Sequence, residues 1–420
     1  MTRTAVPLTA LLTLLSLASV ARAEPAAFGP PPGAKLSVDK LSPIADFING
    51  EIAAQRIPGA IVLVQQHGKP VYLKWFGLRD ADKGTEMTED AIFPIHSVTK
   101  TITSVTAMML VDRGRIALDD PVSKYIPSFA GMKVGVERKD DSGKTVLDRV
   151  APLRPMTVRD LLLHTSGITY GFYGEGLVKS AYEGIYLGDF DNAGFAERIA
   201  RVPLAEQPGT LWDYGHSADI LGRVIEVASG QSLYQFEKQN LFDPLRMTTT
   251  KFFLTDRGER ARYAQPLARD RHVERNSLDV TRWESGGGGL VSTIADFARY
   301  GQMLLNGGAL DGKTYLSPAT FKAMTTDHIG PGAGVARNFY YYPGDGFGFG
   351  YGFGVRTDPG FAIPSPPGSS GELKWDGATG VYIVVDRAQD MFFVVMQDSP
   401  SGRQHVNRTV KQIVYDAFEK

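Results

Sequence analysis

Apolar residues recur every three or four positions between residues 38 and 56, at Leu41, Ile44, Phe47, Ile48 and Ile52. That is the spacing of one face of a helix, and Pro58-Gly59 stops it. AIVLVQQ (60–66) and PVYLKWF (70–76), separated by His67-Gly68-Lys69, then predict a strand–turn–strand hairpin. A helix is predicted over 97–113, with Val98, Ile102, Val105 and Met109 on one face. Residues 116–300 read as mostly helical with irregular connections. TVRDLLLHTSG (157–167) and SADILGRVIEVASG (217–230) are the clearest helices, each closed by a glycine. Gly286 to Gly289 read as a flexible loop, or a tight turn near a cleft, before another helix, TIADFARYGQMLLNGG (293–308).

The last third changes period. DGFGFGYGFGV (345–355) alternates glycine with aromatics, which would line one face of a strand. LKWDGATGVYIVVD (373–386), a polar turn and MFFVVMQD (391–398) read as a second hairpin, and a last helix covers 403–418. No internal repeat is present. Hairpins near both ends predict an α/β (α+β) fold. An antiparallel sheet is built from both termini, flanked by helices, with a mostly helical region inserted. A doubly wound parallel sheet does not fit, because strands do not alternate with helices through the middle. The expected division is a catalytic domain over 38–420, its α/β part at about 38–115 and 300–420 and its helical part at about 116–299.

Composition narrows the function classes. Across 420 residues, 45 basic side chains face 46 acidic ones, with no long basic run, so nucleic acid is not an expected partner. The absence of cysteine removes disulfides, thiolate metal sites and a cysteine nucleophile. The first 23 residues stand apart: Arg3, an apolar run from Ala5 to Val20, then Ala21-Arg22-Ala23. This is the pattern of a secretory signal peptide cleaved near Ala23, which places the mature chain in the periplasm or outside the cell. The run falls short of the ~18–20 residues that span a bilayer, and no membrane span is expected in the mature chain. Residues 24–37 read as a flexible lead-in.

The chemistry begins at HSVTK (96–100). Positions i and i+3 share a helix face, so Lys100 can reach the Ser97 hydroxyl. Ser97 also falls near a helix N-terminus, where free N–H groups and the dipole favour developing negative charge. The spacing alone leaves two readings open: an activated nucleophile, or a capping serine followed by a solvated lysine. The seven histidines show no paired metal-ligand spacing, so no metal is expected. His96 points elsewhere than its neighbour, and His164 reads as a packing residue. G-x-S-x-G is absent, and the glycine-rich segments lack the Lys-Ser/Thr of a phosphate loop. No cofactor is expected.

The segment AIFPIHSVTKTITSVTAMMLVDRGRIALDDPVSKYIP resembles the serine-site region of the serine β-lactamase and penicillin-binding protein superfamily. It is most similar to class C β-lactamases and family VIII carboxylesterases. The resemblance continues through PMTVRDLLLHTSGITYGF, WDYGHSADILGRVIE, SGGGGLVSTIADFARYGQMLLNGG and KWDGATGVYIVVD, in the family's order. It implies Ser97 as nucleophile, with Lys100 and Tyr214 sharing the role of general base. Free tyrosine and lysine titrate at about 10 and 10.4, and burial beside a cation is expected to lower both. It also implies an oxyanion hole from the N–H groups of Ser97 and Ala378. Two departures bear on the substrate. His216 stands where the family usually has asparagine. Trp375-Asp376-Gly377 stands where penicillin-recognising enzymes have Lys-Thr-Gly, and Lys374 is expected to face away on the strand. Family VIII esterases typically carry tryptophan there. His216, Trp375, Asp376 and Gly377 are therefore the expected substrate-binding residues. The reading is an exported serine hydrolase for short-chain esters. A β-lactamase or D-Ala-D-Ala-type peptidase is the alternative, and a non-enzymatic penicillin-binding or sensing protein the lesser one. The partner is a small ester or lactam; oligomeric state is not legible.

Overall fold

The computed structural model describes residues 36–271, 277–337, 344–363 and 365–419. The expected signal peptide, and the lead-in up to residue 35, lie outside the described residues. The framework is an eight-stranded antiparallel sheet. Its strands are β1 (Gly59–Gln66), β2 (Lys69–Asp80), β3 (Thr85–Glu86), β4 (Phe347–Phe349), β5 (Gly354–Arg356), β6 (Leu373–Asp376), β7 (Tyr382–Asp386) and β8 (Met391–Gln397). Their order is β4-β5-β6-β7-β8-β1-β2-β3, so the two ends of the chain meet where β8 pairs with β1, Leu63 opposite Val394.

Every residue of β1 and β8 is buried, which follows from cover on both faces. Ala60, Val62, Val64, Phe393 and Val395 pack with Ile44, Ile48, Val406, Val410 and Val414 of the N-terminal helix (Pro43–Ala53) and C-terminal helix (Arg403–Asp416). Ile61, Leu63, Phe392, Val394 and Met396 face the opposite way, into the core that holds the helices Thr99–Asp112 and Ile294–Leu305. The period-two alternation of a strand thus feeds two cores from one apolar run.

The helix Thr99–Asp112 departs from the one-sided face that its spacing predicts: all its residues through Leu110 are buried. It runs between the sheet and the helical region, so its polar side chains need partners inside the protein. The hydroxyls of Thr101, Thr103 and Thr106 donate to the carbonyls of Val98, Gly286 and Ile102.

Three further expectations change. The region 116–299 contains a β-hairpin, Val134–Lys139 with Thr145–Val150. Its strands are charged and mostly solvated, so they lack the apolar run that marks a core strand. The helix over 157–167 spans only Val158–Leu162, capped by a Thr157–Asp160 box, and it ends where His164 adopts φ 55°. The glycine–aromatic run is not one strand but β4 and β5 joined by a turn, with Gly352 at φ 91°. By contrast, the helix Ser217–Ser229 closes at Gly230, in the left-handed conformation glycine favours.

Glu237 is fully buried against Thr103 and Thr106 of the central helix. Burial, and then the charge of Glu284, push its carboxyl well above the usual range. The unfolded chain releases this proton near pH ~4.3 while the folded chain keeps it, so the group costs stability as pH rises above that value. Glu237→Gln is therefore expected to raise the melting temperature at pH 8 by about 2–4 °C and to have little effect at pH 4. Thermal melts of the two proteins across that range check it.

Candidate active site

The chain approaches Ser97 along Phe93–Pro94, which pairs with Val291–Ser292. It turns sharply at His96, φ 41°, and runs through the 3-10 turn His96–Val98 into the central helix. Ser97 is partly exposed between two buried neighbours. Its side chain does not cap the helix, whose N-cap is Val98. Lys100 is only 2% exposed, so it is not a solvated surface lysine. Of the two readings the spacing leaves open, the capping one is removed on both counts.

The Lys100 Nζ donates to Ser97 Oγ at 3.2 Å, to the Tyr170 hydroxyl at 3.0 Å and to the Gly287 carbonyl at 2.5 Å. Three donors meet three acceptors. It also lies 4.7 Å from the centre of the Tyr214 ring. Tyr214 is buried, and its hydroxyl faces Ser97 and the Trp375 side chain. Burial pushes this phenol well above its ordinary value, against the downward pull of the Ser97 and Trp375 contacts; Tyr173 and Asp376 push the same way as burial. The expected lowering of Tyr214 is thus reversed, because desolvating a phenolate outweighs the polar contacts around it. His164 packs behind Tyr214, ring centres 4.8 Å apart. Burial, and then Lys100, hold it well below its usual value, so it is neutral.

His216 is buried, its Nδ1 3.1 Å from Asp219 Oδ2. Tyr170 lies at the junction, its ring 4.4 Å from His216 and 5.5 Å from Tyr214. Trp375, on β6, packs on Tyr214 at 5.6 Å. Lys374 lies on the other face of the strand, 4.0 Å over the Phe347 ring, where burial and then Lys411 lower its amine to about 8. Asp376 ends β6, opposite Tyr382. Beyond it the chain presses against the serine turn. A side chain on Gly377 would stand 2.4 Å from the Ile95 carbonyl, and Thr379 donates to the Pro94 carbonyl at 2.9 Å. Ala378, between these anchors, holds its backbone beside the Ser97 turn.

The structure therefore brings Ser97, Lys100, Tyr214, Trp375 and the 376–378 segment together, with His216 bracing Tyr170. Gly286 to Gly289 form a packed turn rather than a flexible loop, with Thr103 and Lys100 hydrogen-bonded to its carbonyls. Sequence reading missed Tyr170, Tyr173 and Asp219. Tyr170 and Tyr173 sit in a loop with no periodic signal. Asp219 had one: it stands three residues after His216 at a helix start, a spacing that puts both on one face. Tyr170, Phe172 and Tyr173 form an aromatic wall beside Tyr214, with Phe172 exposed. Among the described residues, no group of three or more acidic or histidine side chains is placed to hold a metal. No helix among them is long and apolar enough to cross a membrane.

The family model described as Beta-lactamase matches residues 44–415. Protein Rv1367c of Mycobacterium tuberculosis is 34% identical over 358 residues, covering 81% of this chain and 85% of its own length. Esterase EstB of Burkholderia gladioli is 30% identical over 373 residues, covering 82% and 87%. Among solved structures, EstCE1, described as a hydrolase with promiscuous acyltransferase activity, superposes with a TM-score of 0.75. It shares 24% identity and covers 90% of this chain and 99% of its own.

Gly377→Ala tests the packing of the β6 end on the serine turn. The added methyl has only the Ile95 carbonyl to move, so the variant is expected to lose about 1–3 kcal/mol of stability. A kcat at least roughly tenfold lower is also expected, since small displacements at a reacting centre are costly. Thermal melts and ester hydrolysis rates together check it.

Proposed function

The chain belongs to the Beta-lactamase family and is a serine hydrolase of that fold, related to ester-processing enzymes, and from that premise we propose that it cleaves short-chain carboxylic esters through an acyl-enzyme on Ser97. The observation that carries the reading is the Ser97 hydroxyl hydrogen-bonded to the Lys100 amine at the start of a buried helix, with the Tyr214 phenol facing it.

The hydrogen bonding suggests how the proton moves. A neutral Lys100 has two N–H bonds and one lone pair. Gly287 offers only a carbonyl, and Tyr170 can accept the second N–H, which leaves the lone pair for Ser97. Ser97 Oγ attacks the ester carbonyl as its proton passes to Lys100. The oxyanion forms where the N–H groups of Ser97 and Ala378 donate to it. Tyr214, kept neutral by burial, gives its proton to the leaving alkoxide as the carbon–oxygen bond breaks, and recovers one from the Lys100 ammonium. Water then enters by the same route in reverse and frees the acid. An alcohol entering in its place would make the transfer product, the activity that the description of EstCE1 names.

Trp375 supports an uncharged substrate, since an indole fills the place where a lysine would meet a carboxylate and Lys374 faces away. The second reading, a lactam or D-amino-acid peptide, has one observation in its favour: Arg403 lies on the Gly377 carbonyl at 3.2 Å and brings a guanidinium to the end of β6. Export rests on the apolar run of residues 5–20 and Ala21-Arg22-Ala23.

Ser97→Ala is expected to reduce hydrolysis of a p-nitrophenyl ester by about 10⁴-fold or more. The unaltered enzyme is expected to turn over that ester much faster than nitrocefin. Undiminished activity of the variant would remove Ser97 from its role, and faster lactam turnover would reverse the substrate order.

A further inference from the structure

Asp219 joins the helix that carries His216 to the glycine turn that holds Lys100. It lies on the first turn of the helix Ser217–Ser229 and is 3% exposed. One carboxylate oxygen accepts from the Ser285 hydroxyl at 2.6 Å and from the Gly287 N–H at 3.0 Å; the other faces His216 Nδ1 at 3.1 Å. Gly287 is the residue whose carbonyl takes the Lys100 amine at 2.5 Å. A side chain on Gly287 would stand 2.5 Å from the Asp219 carboxylate, so the glycine is what lets the turn close on it.

We propose that Asp219 is a positioning residue for the base: it pins the Gly287 carbonyl against Lys100, favours the Lys100 ammonium through its charge, and holds His216 with its Nδ1–H toward the carboxylate. This rests on the reading of Ser97 and Lys100 given above. Two things make the assignment specific. Three contacts, two to the turn and one to the imidazole, occupy most of the carboxylate's roughly four acceptor sites, and at 3% exposure it is closed off from substrate. Burial would raise its carboxyl, yet the hydrogen bond and charge of His216, the charge of Lys100 and the Ser285 hydroxyl outweigh that and hold it below the ordinary range. The carboxylate is therefore ionised throughout the pH range in which an amine base titrates.

Among the described residues, His216 and Lys100 face Asp219. Tyr170 and Tyr214 reach Lys100 from the helical region. His164 lies behind them and stays neutral. Tyr173 and Asp376 act on Tyr214. The Lys179–Asp213 pair, one residue before Tyr214, is closed at 2.9 Å. Removing the negative charge of Asp219 leaves the ammonium of Lys100 less favoured, so the base frees its lone pair at lower pH.

The test reads the pH dependence of kcat/KM for a p-nitrophenyl ester, and of Ser97 labelling by a fluorophosphonate, in the full chain. Asp219→Asn keeps an acceptor for Gly287 and removes the charge. It is expected to move the acid limb of both profiles down by roughly one pH unit. Gly287→Ala keeps the charge and displaces the carbonyl. It is expected to lower kcat roughly tenfold or more. An unmoved limb in Asp219→Asn, or a Gly287→Ala variant with unchanged kcat, would overturn the proposal. Should Asp219→Asn fail to fold, an unchanged kcat in Gly287→Ala still overturns it. Ser97→Ala separates the two readings. If that variant stays active, the nucleophile assignment falls; if it is inactive while Asp219→Asn keeps the original limb, only the role of Asp219 falls.

Discussion

The enclosure of the helix Thr99–Asp112 is the constraint on which the rest of this structure turns. A helix with no exposed face until its last turn must find a partner inside the protein for each polar group it carries. The threonines meet this requirement through carbonyls of their own helix and of Gly286. Lys100 meets it with three acceptors drawn from three separate parts of the chain. Glu237, packed against this helix from outside it, stays protonated for the same reason. The same burial that makes this helix costly to assemble places a lysine amine within hydrogen-bond distance of a serine hydroxyl.

That low-dielectric setting shapes the chemistry. Each polar contact is stronger there than in water, and each unpaired charge costs more. It drives Tyr214 up and His164 down, so both are neutral where free solvent exposure would leave the histidine about a quarter charged at pH 7. Lys100 and Asp219 are joined there through one glycine. The four consecutive glycines have a physical role in this. Gly286 and Gly287 face the backbone of Ala218 and the carboxylate of Asp219 too closely for any side chain. The sheet contributes the other wall: β6 presses its end onto the serine turn because Gly377 leaves room for the Ile95 carbonyl.

Much of the architecture was legible in local pattern. The hairpin of β1 and β2, the helix Ser217–Ser229 with its closing glycine, and the C-terminal helix each carry a periodic signal bounded by turn residues. The elements that were misread lack such a signal or carry one that tertiary contacts override. The hairpin within 134–150 alternates too weakly to show its face. The run 345–355 has the period of one long strand, but a tight turn at Gly352 folds it into two. Ser97, Lys100, Tyr214 and the Trp375-Asp376-Gly377 segment could be named because each belongs to a short motif. Tyr170 belongs to none, and Asp219 has only its spacing from His216; their distances to Lys100 and Gly287 bring them into the site.

The sequence by itself determined the order of elements, the two-ended sheet and the identity of some of the residues that converge near Ser97, Lys100, Tyr214 and Trp375 among them. It did so because hydrophobic period, turn residues and motif spacing are local properties of a chain. What only the tertiary structure decided is the state of those residues. Whether a lysine is solvated or buried, whether a tyrosine is raised or lowered, and which carbonyl holds the amine all depend on segments more than a hundred residues apart. Desolvation and hydrogen-bond geometry are set by what packs around a group, and that neighbourhood exists only once β8 has paired with β1 and the central helix is closed in.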